Sequence, residues 1–104
     1  MLDPLPSDPD LLKLVLAPLL DDFIYWFERS GQLLRATPLA FMTPESQQDL
    51  GDRVNHALQE VKVAQALLAA TDGQAGVEMA VLMNWHRLVA ECWGVSMKKR
   101  SANP

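Results

Sequence analysis

The sequence predicts an all-α fold: a long antiparallel two-helix hairpin with a shorter third helix, packed as a small three-helix, bundle-like domain. Three observations carry this. Apolar residues recur at helical spacing through two long stretches. Each stretch opens on a capping residue followed by proline, Asp8-Pro9 and Thr43-Pro44. No strand-like alternation and no internal repeat competes with the pattern.

The first helix is expected from Asp8, as cap, to about Ala36. At about 100° per residue, Leu12, Val15, Leu16, Leu19, Leu20, Phe23, Trp26, Phe27, Leu33 and Leu34 fall in one arc of roughly 140°. Asp21, Asp22, Glu28, Arg29 and Arg35 fall on the other side. In the crowded stretch DDFIYWFERS, residues 21–30, Phe23, Trp26 and Phe27 thus point to the core. Pro18 lies on the polar side and predicts a kink. Pro38 disfavours helix at Thr37 and closes the element.

Residues 37–43, TPLAFMT, form a short connector, which makes the next helix an antiparallel partner. That helix is capped by Thr43 and runs to about Thr71, where Asp72-Gly73 stops it. Its seam, Leu50, Val54, Ala57, Val61, Ala64 and Leu68 with Leu58 alongside, has heptad spacing and small residues that permit close approach. Both helices come to roughly 40 Å. Residues 73–83 read as a loop with at most one helical turn, because they hold two glycines. Asn84 then caps a third helix over residues 85–97, with Trp85, Leu88, Val89 and Cys92 on one face and Trp93 at its edge.

A chain of 104 residues is one domain. Its span is read as 1–104, with residues 1–8 and 98–104 as flexible termini. It buries only about 60–65% of its unfolded surface, so its stability margin is thin. The net charge of -4 argues against nucleic acid as a partner. The start is acidic where a signal peptide would be basic, and charges and a proline break the following apolar run, so neither a signal peptide nor an integral membrane segment is expected. With one cysteine there is no internal disulfide, which fits a cytoplasmic location.

Each candidate chemistry has a plainer structural reading. His56, with Asp52 four residues before and Glu60 four after, forms a polar stripe that reads as solvated surface, since a metal needs a fuller ligand set. His86 and Cys92 are about 120° from stacking on one helix, and Cys92 falls on the apolar face, so a nucleophilic pair is not expected. There is no phosphate-cradling loop, paired-cysteine zinc spacing or nucleophile elbow. No enzyme activity and no cofactor is expected.

The stretches LLKLVLAPLLDDFIYWFERSGQLL, RVNHALQEVKVAQALLAATDGQAGV and WHRLVAECW resemble a small cyanobacterial family of uncharacterised helical proteins, a domain-of-unknown-function family, over residues 11–95. The resemblance implies a cyanobacterial cytoplasm and a link to photosynthetic or carbon metabolism. It implies no catalytic residues.

The leading function is a non-enzymatic protein-interaction module: a small adaptor, assembly factor or regulator. Leu11, Leu14, Ile24 and Tyr25 lie off the main arc of the first helix, and Val63 and Leu67 form a second strip on the next. Leu14, Ile24, Tyr25, Val63 and Leu67 are therefore the expected partner-binding residues, the partner being a second copy, as a homodimer, or another protein. The alternative is a small-ligand or pigment carrier with an aromatic pocket near Trp26, Trp85 and Trp93. Lys98, Lys99 and Arg100 offer weak peripheral contact with an anionic surface.

Overall fold

The computed structural model of the protein describes residues 8–73 and 76–102. The helices are α1, Asp8–Ala36, α2, Pro44–Ala70, and α3, Met79–Ala102. The expected hairpin with a third helix is what forms, and α3 is the shortest of the three at 24 residues. The capping contact expected of Asp8 lies outside the described side chains, and residues 1–7 lie outside the described residues.

α1 runs continuously through Pro18, which sits on its exposed side where the missing N–H removes one backbone bond from the solvent face. α2 starts as expected. The Thr43 hydroxyl accepts from the Ser46 amide at 3.0 Å, and Pro44 takes the first helical position. Its far end closes with reciprocal bonds: Gly73 N–H donates to Leu68 O at 2.9 Å and Asp72 N–H to Ala69 O at 3.3 Å. Asp72 takes the left-handed conformation, φ 51°, and Gly73 follows at φ 86°. Aspartate tolerates that region better than most residues, and Lys13 donates to its carboxylate at 2.8 Å.

The connector is stitched by Gln47. Its Nε2 donates to the carbonyls of Leu34 (2.7 Å) and Thr37 (2.9 Å), and its Oε1 accepts from the Leu39 amide at 2.9 Å. One side chain in the first turn of α2 thereby satisfies carbonyls that the end of α1 leaves open. Leu39 is held in the core beside it.

The core is made by Leu16, Leu20, Phe23, Phe27 and Leu34 of α1 against Leu50, Val54, Ala57, Val61 and Leu68 of α2. Trp85, Val89 and Cys92 of α3 close it. The small residues of the α2 seam let α1 and α2 approach closely. Aromatic side chains hold α3 further off: Trp85 meets Phe23 edge-on at 5.6 Å, and Trp93 meets Trp26 at 5.5 Å. Near the connector, Lys98 Nζ stands 6.0 Å from the Phe41 ring centre. α3 thus runs parallel to α1 and antiparallel to α2. Arg53 of α2 forks onto both Glu91 carboxylate oxygens at 2.9 Å each, tying α2 to α3. The molecule is elongated, 60 × 26 × 20 Å.

The structure corrects the sequence reading in three places. The third helix begins at Met79 and not at residue 85, so residues 79–83 are helix and not loop. Both glycines of that stretch precede the helix. Val77, Val81 and Trp85 continue its apolar face backwards at i, i+4 spacing. Asn84 is an internal, exposed residue and caps nothing; the Glu78 carbonyl accepts the first helical bond, from Leu82 N–H at 3.1 Å. At the other end Lys98, Lys99 and Arg100 lie in the last turns of α3 and not in a flexible tail, since the cations suit the negative helix end.

Candidate functional site

The titratable candidates take ordinary places. His56 is exposed, 3.8 Å from the Glu60 carboxylate, and Asp52 accepts from Gln48 instead. Among the described residues no group of three His, Cys, Asp or Glu is placed to hold a metal ion. His86 is exposed while Cys92 is buried. Burial pushes the Cys92 thiol above its ordinary range, partly offset by a hydrogen bond with the Ser30 side chain. Such a thiol is not an activated nucleophile.

The three tryptophans do not share one pocket. Trp85 is buried in the core against Phe23, and its indole N–H has no hydrogen-bond partner among the described residues. Trp26 and Trp93 lie on the outer side of the α1–α3 contact. There they line an open cleft of about 590 Å³ with Leu33, Arg29, Lys99 and Arg100. A second groove, of about 470 Å³, lies between α2 and the start of α3 and is lined by Val63, Leu67, Val77, Val81 and Trp85.

The five expected partner-binding residues are divided by the fold. Val63 and Leu67, exposed, flank the α2–α3 groove. Leu14 and Tyr25, also exposed, stand on the outer side of α1. Ile24 does not join them: it is half-buried and packed against the core cluster. No single patch unites the five.

A different surface is continuous. Val15 and Leu19 fall within the core arc by periodicity, yet Val15 is 63% exposed and Leu19 36%. The reason is the offset of α3. With Trp85 beside Phe23, the first residue of α3, Met79, lies level with about Ala17. Among the described residues, nothing of α3 covers α1 before that level on this side. Leu11, Val15, Leu19, Trp26 and Leu33 make an apolar stripe along α1. Met79, Met83, Ala90, Trp93 and Met97 make a parallel stripe on α3, and the Trp26–Trp93 contact joins the two. The α3 stripe was legible in the spacing of positions 79, 83, 86, 90, 93 and 97; reading 73–83 as loop hid it. Methionine side chains repack easily and suit a binding surface.

Charge is unevenly distributed. Lys13, Arg53 and Lys62 pair with carboxylates. Arg29, Arg35, Lys98, Lys99 and Arg100, towards the connector end, have no carboxylate partner among the described residues. Arg29 donates to the Tyr25 hydroxyl at 3.1 Å.

No helix of the described residues is long and apolar enough to cross a membrane. The family model described as "Protein of unknown function (DUF2605)" matches residues 6–101. No curated protein and no solved structure matches the chain.

Proposed function

The chain belongs to the DUF2605 family of proteins of unknown function, and on that premise we propose that it is a non-enzymatic protein-interaction module acting in the cytoplasm. The observation that carries the reading is the exposed two-helix apolar face of α1 and α3. Exposed residues such as Leu11, Val15, Met79, Met83 and Met97 are ordinary one at a time, but in two adjoining stripes they form the kind of surface that a partner covers. A three-helix domain with such a face lacks the elements that would complete a bundle. The resemblance to cyanobacterial proteins supports a cyanobacterial setting.

The test is affinity capture from cells of the source, with the purified parent and a Val15→Glu, Met83→Glu double variant. The parent is expected to retain a protein, another copy or a different chain, that the variant loses with helix content unchanged. A parent that is monomeric and captures nothing beyond what the variant captures rejects the reading.

A further inference from the structure

We propose that the α1–α3 face binds a second copy of this chain in antiparallel two-fold symmetry, with Asp22 of each copy paired to Arg29 of the other. The proposal rests on the interaction-module reading above and names the occupant. Asp22 and Arg29 are exposed, lie seven residues apart and flank the α1 stripe, Asp22 three residues after Leu19 and Arg29 three after Trp26. Among the described residues Asp22 has no ion-pair or hydrogen-bond partner, and Arg29 has only the Tyr25 hydroxyl. An isologous interface places residue i against j and j against i. An axis crossing α1 between Tyr25 and Trp26 sets Asp22 against Arg29 twice. The same register sets Val15 of the stripe against Ala36 and Leu33 of the stripe against Pro18.

α3 gives a second, independent indication. Trp85 stands beside Phe23 and Trp93 beside Trp26, so Ala90 lies level with the segment of α1 between Phe23 and Glu28, which contains that axis. An axis perpendicular to the helices at that level brings Ala90 against its own copy and Met83 against Met97. A small residue at the axis permits close approach, and the methionines at equal distances on either side meet each other. Met83 and Met97 are thus placed symmetrically about the segment of α3 that lies level with the α1 charge pair.

Long-range charge favours the antiparallel arrangement. A parallel pair would set the basic ends side by side, bringing Arg29, Arg35, Lys98, Lys99 and Arg100 of both copies together. The antiparallel pair separates those ends along the 60 Å length of the molecule.

The test is sedimentation equilibrium from about 1 to 100 µM on the parent, Asp22→Arg, Arg29→Asp and the double exchange, each checked for helix content. These residues are exposed, so the variants retain the fold. The parent is expected to dimerise. Each single exchange should weaken the dimer about tenfold or more, and the double exchange should restore it to within about threefold of the parent. As a second readout, Ala90→Cys should oxidise to a covalent dimer and Val63→Cys, in the α2–α3 groove, should not. A monomeric parent, no rescue by the double exchange, or covalent dimer at position 63 and not at 90 overturns the proposal. If the parent is monomeric yet still captures a different protein that the Val15→Glu, Met83→Glu variant loses, the interaction-module reading stands without the second copy.

Discussion

Trp26 and Phe27 are chain neighbours with different energetic roles. Periodicity places both in one arc, but Phe27 is 0% exposed and Trp26 is only half-buried, held edge-on by Tyr25 at 5.0 Å and by Trp93. The indole therefore has solvent on one side and loses less on removal. Phe27→Ala should cost about 3–5 kcal/mol, which unfolds much of so small a domain, and Trp26→Ala about 2 kcal/mol. Urea unfolding of the two variants checks the order. A larger loss at Trp26 would make the Trp26–Trp93 pair a structural anchor and weaken its assignment to a binding face.

At the scale of elements, two side chains distinguish the observed architecture from the one the sequence predicts. Were Asn84 the cap of α3, Asn84→Ala would cost about 1 kcal/mol. Inside a helix and exposed, the same change should be neutral or stabilise by up to about 0.5 kcal/mol, because alanine is the better helix former. Thermal melts of that variant decide the position of the helix start. Gln47 acts in the opposite sense. Its amide makes three bonds to the connector, and Gln47→Ala would leave two carbonyls and one N–H to find other partners. A loss of about 2 kcal/mol is expected. Faster amide exchange at Leu39, with α2 still protected, would locate the damage at the joint between α1 and α2.

For the whole molecule, the joint between α2 and α3 sets a dependence on pH. The Arg53 guanidinium bonded to Glu91 holds that carboxyl below its usual range. A group whose folded pKa is lowered stabilises the protein above its unfolded pKa, and that contribution is lost as pH falls through the folded value. Asp72, lowered by its hydrogen bond from Lys13, acts with the same sign. Both partners of the Arg53–Glu91 fork are about half exposed, so water screens the pair and its worth stays under about 1 kcal/mol. Glu91→Gln should therefore lower the melting temperature by a few degrees at neutral pH. The difference between parent and variant should close as pH falls to about 3. A gap that stays constant across that range would mean that the glutamine disturbs packing and that the fork contributes little.

The sequence by itself determined the α1–α2 hairpin. Thr43-Pro44 and Asp72-Gly73 bracket α2 with local chemistry, and the Leu50-to-Leu68 seam repeats often enough to define its buried face. It also determined the buried side of α3, since Trp85, Val89 and Cys92 follow one another at helical spacing. Local signals failed where two answers were locally acceptable. Asn84 is a good cap that stands inside a helix, and only the packing of Val77 and Val81 against α2 extends α3 back to Met79. Gln47 carries no sequence signature, because its partners come from the end of α1 and the connector. The candidate site was the least legible. Periodicity reports which side of a helix is apolar, but what covers that side depends on where the neighbouring helices begin. The offset of α3 along α1 leaves Val15 open to solvent and draws the exposed methionines of α3 and the outer residues of α1 into one face. That offset is set by the Phe23–Trp85 and Trp26–Trp93 contacts, which join residues far apart in the chain and so exist only in the folded molecule.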